Sequence, residues 1–402
     1  MSARRPWSVA VASASRDADV TAPVYRSPWA DDDVVALKEM TTKFFQTEAL
    51  PHRERWAAQK CVDREFWYKA GELGLLCASV PEEYGGGGGT LAHEFAIMEA
   101  QAACGEAGFG NQVHSGLVAQ YILTYGTEEQ KQRWLPGMAT GKLISAIAMT
   151  EPGGGSDLKA LRSTAIRDGG HYRLNGAKTF ISNGSSADLI VLVVKTDPSA
   201  GAKGVSLIVL ETADAAGFRV GRVLDKVGMK AQDTAELFFD DVLVPAGNLL
   251  GEEGAGYGYA MQQLAHERLV VAVCGVAVLE SAVDETVKYT KSRDAFGKTL
   301  FDMQNTRFEL AECATIARIA RVFIDDCIAR HLRGELDATT ASMAKAWVTD
   351  MQVGVIDRCV QLFGGYGYML EYPIARMFID SRAQKIYAGA NEVMKELIAR
   401  SL

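Results

Sequence analysis

The spacing of hydrophobic residues divides the chain into three blocks. Over residues 31–141, apolar side chains recur every three or four positions, as on the buried face of an amphipathic helix. Near Leu143 they alternate with polar residues and β-branched residues become frequent, which is typical of strands. Beyond Pro245 the helical spacing returns and continues to the C-terminus. This order predicts an α+β fold of separate domains rather than one interleaved α/β sheet.

We place the domain boundaries where the spacing changes. The predicted units are a tail at 1–30, an N-terminal helical domain at 31–145, a middle β-domain at 146–245 and a C-terminal helical bundle at 246–402. In the first block, Thr127-Glu-Glu-Gln130 has the form of a capping box that opens a helix. The five glycines after Tyr84 lack the GxxxxGK[ST] order of a phosphate loop, so they predict a mobile loop between helices.

Turn signals subdivide the middle block. Residues 163–174 indicate a hairpin around an Asp-Gly turn, and Asn175-Gly176 predicts a second turn directly after it. Further strands are expected at 189–194, 205–210 and 235–239.

The most apolar helix expected in the chain begins beside a carboxylate. Residues 269–279 form an unbroken run of eleven apolar or small residues. The run is too short for a bilayer, which needs ~20 residues, and has no turn signals at its ends, so it predicts a buried helix. Glu267 would therefore border a dry core, where burial raises a carboxyl pKa toward that of a general base. The alternative is a structural ion pair with a basic residue elsewhere.

Composition narrows the class of partner. The chain has 402 residues, 48% of them hydrophobic, which suffices for a large core in two or three domains. Its net charge of -8 argues against nucleic acid or an anionic membrane surface as a partner. The seven cysteines lack the spacing of a disulfide framework or a zinc site, which favours a reducing compartment.

The N-terminus carries no apolar stretch long enough for a secretory signal. Its first sixteen residues include Arg4, Arg5 and Arg16 and no acidic residue, which suggests an organellar transit peptide. A disordered tail is the alternative, since Asp17 and Asp19 follow at once.

Two stretches of the middle block have the chemistry to hold a flat or anionic ligand. Residues 148–157 end a strand in a glycine-rich turn, where backbone N–H groups and the hydroxyls of Thr150 and Ser156 can approach a ligand closely. A plain β-turn is the alternative there. Phe180 and Ser182 are two residues apart on a strand, hence on one face, where they could cover and hydrogen-bond one ring edge.

Three stretches of the last block complete the set. Arg293 closes the long helix, and an arginine suits a pyrophosphate, although at a helix C-terminus it also balances the helix dipole. Residues 361–367 (QLFGGYG) form a second glycine-rich stretch between helical segments. Residues 387–394 (YAGANEVM) lead into the last helix.

Taken in this order, the stretches resemble the acyl-CoA dehydrogenases, from about residue 35 to the end. The segments that match motifs of that family are MTEPGGGSDL, FISNG, SRDAFGKTL, QLFGGYGY and YAGANEVMKEL. Residues 230–239 and 391–398 are most similar to the long-chain group. The resemblance implies a helical N-terminal domain, a middle β-domain and a C-terminal four-helix bundle, assembled as a homotetramer with one FAD per subunit.

The resemblance also implies the ligand contacts. The flavin ring would lie against Met149, Thr150, Phe180 and Ser182. The ADP half of a neighbouring subunit's FAD would be held by Arg293, Phe296, Gln304, Gln361 and Gly365. Further cofactor contacts would be Ile147, Gly155, Ser156, Ile181, Gly364, Ala390 and Glu392. The acyl-CoA would touch Ser156, Arg268 and the backbone of Ala388 and Gly389.

The same resemblance places the catalytic base at Glu267. Medium- and short-chain members carry the base where this chain has Ala388, whereas long-chain and isovaleryl members carry it on the long helix. The base would remove the α-proton of a fatty acyl thioester while hydride passes from the β-carbon to the flavin, giving trans-2-enoyl-CoA. The implied donors to the thioester oxygen are the Ala388 N–H and a flavin ribityl hydroxyl. Glu392 is the rival carboxylate.

One departure concerns the acyl contacts. An aromatic residue often stands nine positions before the base, and here that position is Gly258, between Tyr257 and Tyr259. The acyl contacts are therefore expected to differ.

The expected partners are a fatty acyl-CoA and an electron-transferring flavoprotein, with no nucleic acid and no membrane span. The expected compartment is the cytoplasm if the source is bacterial and the mitochondrial matrix if it is eukaryotic. Long chains are expected from the resemblance, and a branched short-chain group such as isovaleryl is the alternative. An oxygen-using acyl-CoA oxidase or flavin monooxygenase and a non-catalytic acyl-CoA- or flavin-binding relative are further alternatives on the same fold.

Overall fold

The computed structural model describes residues 25–157 and 160–402. Helices occupy the chain up to residue 139, strands follow from residue 145, and long helices return at residue 256. The predicted α+β class is therefore confirmed. Most of the predicted tail at 1–30, including the arginines of the suggested transit peptide, lies outside the described residues.

Seven α-helices form the N-terminal part from residue 25 onward, where the described residues begin. They are α1 (Asp32–Phe44), α2 (Arg53–Gln59), α3 (Arg64–Glu72), α4 (Leu91–Ala103), α5 (Asn111–Val113), α6 (Ala119–Tyr125) and α7 (Glu128–Ala139). The predicted capping box opens α7: the Gln130 N–H donates to Thr127 Oγ1 at 3.2 Å, and the Thr127 N–H donates to Gln130 Oε1 at 3.0 Å. A π-helical segment, His114–Val118, joins α5 to α6.

The glycine run after Tyr84 is a loop between helices, as predicted, but it is tied down rather than mobile. The N–H groups of all five glycines donate to carbonyl oxygens of residues 77–82 at 2.9–3.2 Å. A Cβ on Gly86 would lie 2.2 Å from the Val80 carbonyl oxygen. The glycines therefore allow two backbone segments to pack in direct contact, which fixes the loop.

The middle part is one sheet in the order β6-β7-β3-β2-β4-β5-β8, with β1 parallel to β4. Its strands are β1 (Ser145–Ala148), β2 (Thr164–Asp168), β3 (His171–Ser182), β4 (Leu189–Lys195), β5 (Val205–Glu211), β6 (Phe218–Val223), β7 (Thr234–Pro245) and β8 (Leu249–Leu250). The strands expected at 189–194, 205–210 and 235–239 are thus present in β4, β5 and β7.

The predicted hairpin is β2–β3, in which Asp168 pairs with His171. The second turn, predicted at Asn175-Gly176, is wrong, because β3 continues through both residues and carries a bulge between Leu174 and Gly176 where it pairs with β7. Gly176 has a φ of 144°, and a Cβ there would lie 2.3 Å from Ser163 Oγ. Glycine is therefore required for close strand packing, not for a chain reversal.

The C-terminal part is a helical bundle. Its elements are α8 (Gly256–Ser292), a small hairpin of β9 (Asp294–Ala295) and β10 (Lys298–Thr299), α9 (Gln304–Leu332), α10 (Ala338–Phe363), α11 (Pro373–Ser381) and α12 (Asn391–Ala399). The apolar run at 269–279 lies in the middle of α8, and all of it except Val278 is buried, as predicted. Its side chains pack with α4, α9 and α10 in one core. Among the described helices, none has the length and apolarity needed to cross a membrane.

Candidate active site

Glu267 lies in α8 two residues before the apolar run, and only 6% of it is exposed. The Tyr121 hydroxyl of α6 donates a hydrogen bond to Glu267 Oε1 at 2.8 Å. Within the described chain, no lysine, arginine or histidine nitrogen lies within 4.0 Å of the carboxylate. Burial raises the pKa of Glu267, while the Tyr121 hydroxyl and the neighbouring Arg268 partly oppose that rise. The site thus holds a buried carboxylate with one neutral donor and no ion-pair partner in contact.

An aromatic cluster surrounds this carboxylate. Tyr125 stacks on Tyr259 with ring centroids 4.0 Å apart, and Tyr121 lies 5.9 Å from Tyr125. Gly258, where an aromatic residue was expected, has no atom within 4 Å of its ideal Cβ position. Tyr259 therefore supplies an aromatic ring on this side of α8, one residue later than the family pattern suggests.

Arg268 is buried, with 3% of its surface exposed. Its Nη1 donates to Ser342 Oγ at 3.0 Å and to the Ala338 carbonyl at 3.4 Å, both near the start of α10. Its Nε is buried and has no hydrogen-bond partner in the described structure. Burial lowers the pKa of this guanidinium.

The turn before α12 has a strained backbone. Ala388 and Gly389 are both left-handed, with φ of 52° and 86°. The Lys345 ammonium, on α10, donates to the Gly389 carbonyl at 2.7 Å. Burial lowers the pKa of Lys345 to about 8, and the like charge of Arg268 adds to the decrease. Lys345 thus holds the turn at 388–389 against α10 through the Gly389 carbonyl.

The predicted flavin-ring residues come together where the turn after β1 meets β3. Met149 and Thr150 follow β1, and the Thr179 N–H donates to the Thr150 carbonyl at 3.0 Å, which joins this turn to β3. Phe180 lies in a bulge of β3, has a φ of 60° and is 67% exposed. Ser182 is half-buried on the outer side of β3, whereas Ile181 between them is buried. Of the remaining predicted contacts here, Ile147 is half-buried in β1, and Gly155 and Ser156 are exposed.

A buried ion pair between Lys178 and Glu151 lies beneath these residues. Lys178 Nζ, fully buried in β3, donates to Glu151 Oε1 at 2.9 Å and to the Met149 carbonyl at 3.0 Å. Burial lowers the pKa of Lys178 to about 8. Burial also raises the pKa of Glu151, but Lys178 and the N–H groups of Arg162 and Ser163 together outweigh it, so the pKa of that carboxyl is lowered. The pair fixes the turn after β1 against β3.

The residues predicted to hold an ADP group lie at one end of the bundle. Arg293 directly follows α8, and its guanidinium lies 5.5 Å from the Tyr366 ring centroid, beside the glycines of the second glycine-rich stretch. Phe296 sits at the tip of the β9–β10 hairpin with a φ of 54° and is 95% exposed. The other members of the group are Gln304 at the start of α9, Gln361 in the last turn of α10, and Gly364 and Gly365 just beyond it. The end of α8 meets the end of α10 through Tyr289, which stacks on Phe363 at 4.0 Å.

Ala390 and Glu392 lie at the start of α12. Ala390 is the N-cap residue, and Glu392 is in the first turn and exposed. The rival carboxylate is therefore solvated, whereas Glu267 is buried.

Tyr121, Lys178 and Lys345 were not predicted from the sequence as parts of the site. Tyr121 contacts Glu267 across 146 positions of the chain, and no local pattern links the two. For Lys178, the signal present was a lysine within a strand, between Ala177 and Thr179.

Comparison with known families gives matches over most of the chain. Residues 31–142 match the acyl-CoA dehydrogenase N-terminal domain, residues 146–242 its middle domain and residues 254–402 its C-terminal domain. The long-chain specific mitochondrial acyl-CoA dehydrogenase of Mus musculus is 48% identical over 91% of this chain and 85% of its own length.

Solved structures agree with these matches. An acyl-CoA dehydrogenase from Geobacillus kaustophilus superposes with a TM-score of 0.90 at 48% identity, covering 95% of this chain and 99% of that one. An acyl-CoA dehydrogenase from Bacillus anthracis complexed with FAD superposes with a TM-score of 0.86 at 31% identity, covering 92% of this chain and 67% of that one.

Proposed function

The chain belongs to the acyl-CoA dehydrogenase family of FAD-dependent oxidoreductases, and we propose that Glu267 is its catalytic base and that long-chain fatty acyl-CoA thioesters are its substrates. The reaction would convert the thioester to trans-2-enoyl-CoA. The observation that carries the proposal is the environment of Glu267: a buried carboxylate with a raised pKa and one neutral donor.

This environment suits a general base better than it suits a structural carboxylate. A base works best when its pKa lies near the operating pH, and enzymes raise a glutamate pKa by burial to reach that range. A structural carboxylate at the same depth would need a cationic partner in contact to offset the cost of burial. The described residues around Glu267 provide a tyrosine hydroxyl instead.

A donor for the thioester oxygen is available at Ala388. Within the described residues its backbone N–H has no hydrogen-bond acceptor, and the left-handed turn at 388–389 holds this N–H outside any helix. Removal of the α-proton places negative charge on the thioester oxygen, so a preorganised N–H at that atom would lower the barrier. The amide is present whatever the side chain at 388.

The described residues fit FAD in two places. Phe180 and Phe296 are exposed aromatic rings in left-handed backbone. Phe180 lies two residues before Ser182, and Phe296 lies three residues after Arg293. A non-glycine residue in this backbone region is strained, and such strain is concentrated at ligand sites. When bound, FAD supplies the hydride acceptor, while Met149, Thr150 and Ser182 would orient its ring and Arg293 would pair with its phosphates.

The proposal of long-chain substrates is supported by a cavity along α8. It has a volume of about 500 Å³. Cys274 and Val278 line it from the apolar run of α8, and charged residues such as Glu280, Asp284 and Lys288 line it farther along the same helix. Cys274 and Val278 lie seven and eleven residues after Glu267, hence on the same helix face, ~10 Å and ~16 Å along the axis. With carbon–carbon bonds of ~1.5 Å in a zigzag, about eight and about thirteen bonds span those distances. Only a long acyl chain would reach this cavity from Glu267.

Two substitutions test this path. Cys274→Phe should reduce kcat/KM for acyl groups longer than about ten carbons, and Val278→Phe only for those longer than about fourteen. Both variants should retain wild-type activity on butyryl- and hexanoyl-CoA, and FAD content checks the fold. The measurement is kcat/KM over acyl-CoAs of four to eighteen carbons. A wild-type preference for isovaleryl- or butyryl-CoA, or one shared cut-off length for both variants, would contradict the long-chain proposal.

The electron acceptor and the assembly are further parts of the proposal. We expect an electron-transferring flavoprotein as oxidant and a homotetramer as the assembled form. The compartment would be the cytoplasm in a bacterial source and the mitochondrial matrix in a eukaryotic one. Anaerobic bleaching of the flavin by acyl-CoA, followed by slow reoxidation in air, identifies a dehydrogenase. Fast reoxidation by oxygen would identify an oxidase, and absence of bleaching a non-catalytic relative.

A further inference from the structure

Lys345 is a buried cation that has no carboxylate partner among the described residues. None of the residue is exposed. Its ammonium donates to two neutral oxygens, the Gly389 carbonyl at 2.7 Å and Asn391 Oδ1 at 2.9 Å. Among the described residues no carboxylate lies within 4.0 Å of it, and Asp350, on the same helix, pairs with Lys385 instead. Burying an ammonium without an ion-pair partner is unfavourable, because no nearby anion replaces the water that it loses.

A second buried cation makes this arrangement less favourable still. The Arg268 guanidinium is close enough to lower the pKa of Lys345 through like-charge repulsion. Asp350 and Glu392 act in the opposite direction from α10 and α12, but burial and Arg268 prevail. A neutral donor would hold the turn without burying a charge beside Arg268. A buried ammonium at this position therefore indicates a functional role.

Asn391 holds the same turn from the other side. Its amide nitrogen donates to Thr349 Oγ1 at 2.9 Å, to Asp350 Oδ1 at 3.0 Å and to the Ala346 carbonyl at 3.2 Å. Lys345 and Asn391 therefore clamp a turn with two consecutive left-handed residues, one of them the non-glycine Ala388. A non-glycine residue in left-handed backbone is strained, so the turn keeps its shape only while it is held.

We propose that Lys345 is a positioning residue for the dehydrogenation: its ammonium, bonded to the Gly389 carbonyl, fixes the turn so that the Ala388 N–H points at the thioester oxygen. This inference rests on the proposed function of Glu267 and Ala388. The charge also has a use there, because two buried cations favour the negative charge that develops on the substrate when the α-proton leaves.

The test compares Lys345→Met with Lys345→Gln and with Lys69→Met. Methionine keeps the length but removes both donor and charge, and glutamine keeps a neutral donor. Lys69 is a partly exposed lysine of α3 that pairs with Glu48 and takes no part in the turn. The rate of anaerobic flavin reduction at saturating acyl-CoA should fall roughly 10- to 100-fold in Lys345→Met, and the upper end of this range equals the loss of one oxyanion donor. The loss in Lys345→Gln should be smaller, and Lys69→Met should match the wild type. The apparent Kd for acyl-CoA should change much less than the rate.

A second readout separates positioning from general damage. An acyl-CoA with sulfur at carbon 3 can lose its α-proton but cannot pass on a hydride, so its absorbance titration reports how well the site stabilises the anion. The pKa of the bound analogue should rise by one to two units in Lys345→Met, which corresponds to the expected 10- to 100-fold loss. The wild-type rate should also fall as pH rises through about 8, where the ammonium loses its proton, and Lys345→Met should lack this limb.

The outcomes distinguish the two proposals. If wild-type flavin is not reduced by any acyl-CoA, the proposed function is wrong. If the wild type is active but Lys345→Met reduces its flavin at the wild-type rate, with an unchanged analogue pKa, the role of Lys345 is wrong. Should Lys345→Met not retain FAD, a wild-type rate and analogue pKa in Lys345→Gln would equally overturn it.

Discussion

Removing the Tyr121 hydroxyl isolates the one hydrogen bond that holds the proposed base. Tyr121 is 1% exposed and its hydroxyl lies 2.8 Å from Glu267 Oε1. Tyr121→Phe keeps the ring and its packing and leaves that oxygen without a donor. The hydroxyl stabilises the charged carboxylate, so its removal should raise the pKa of Glu267, which burial already places above its ordinary value.

The size of the change follows from the strength of such a bond. A hydrogen bond to a charged group contributes about 1.5–3 kcal/mol. At 1.36 kcal/mol per pKa unit, this predicts a rise of about 1–2 units in the pKa of Glu267. A base is active when deprotonated, so activity is lost as pH falls through its pKa. The acidic limb of the profile should therefore move to higher pH by about 1–2 units.

The assay is the pH dependence of kcat/KM, which reports the base in the free enzyme. Tyr125→Phe is the matched control, since the Tyr125 hydroxyl bonds to Gln262 and the Tyr259 carbonyl rather than to Glu267. Its acidic limb should stay within a few tenths of a unit of the wild type. An acidic limb in Tyr121→Phe that does not move, or moves to lower pH, would refute the reasoning.

Two further predictions concern the ligand surface and its support. Lys178→Met leaves the Glu151 carboxylate buried without its partner and should lower the free energy of unfolding by about 3–5 kcal/mol in denaturant melts. Adding Glu151→Gln should recover much of this loss. Equal stability of Lys178→Met and the wild type would contradict the prediction. Arg293→Ala should lower FAD retention and melting temperature together, as loss of a ligand bound by the native state does. Lys291→Ala, two residues earlier in the last turn of α8, is the control. Full FAD content and an unchanged melting temperature in Arg293→Ala would show that Arg293 is not part of the site.

Local signals account for most of what the sequence predicted of the fold. The capping box at Thr127 and the β2–β3 hairpin each depend on residues a few positions apart, and both are present. The buried run in α8 was equally readable, because eleven successive apolar residues leave no face for solvent. These features required no knowledge of distant contacts.

Predictions failed where a distant segment decides the conformation. Asn175-Gly176 has the composition of a turn, but the residues before and after it pair with β7 and keep β3 extended through it. The glycine run after Tyr84 has the composition of a mobile loop, but the carbonyl groups of residues 77–82 bind it. Strands β6 and β8 and the β9–β10 hairpin were not predicted, since β6 alternates weakly and the others have two residues per strand.

In the site, too, local features could be predicted from the sequence and contacts between distant segments could not. Burial of Glu267 follows from its own helix, whereas its donor comes from α6 and could not be inferred from either segment. Lys345 lies in a helix with apolar neighbours, where a lysine ordinarily extends to solvent. Only the arrival of the Gly389 carbonyl and Asn391 from α12 makes it a buried clamp.

The most direct test of the central claim is the rate of flavin reduction by a saturating acyl-CoA in Glu267→Gln under anaerobic conditions. Glutamine keeps the volume and can still bond to Tyr121, but it cannot accept the α-proton. The rate should fall by at least ~10²- to 10⁴-fold with normal FAD content, whereas Glu392→Gln should lose far less. In Glu267→Ala combined with Ala388→Glu, partial recovery is expected, because the carboxylate would then approach the α-carbon from the other family position. A near wild-type rate in Glu267→Gln would show that Glu267 is a structural carboxylate and would contradict the mechanism.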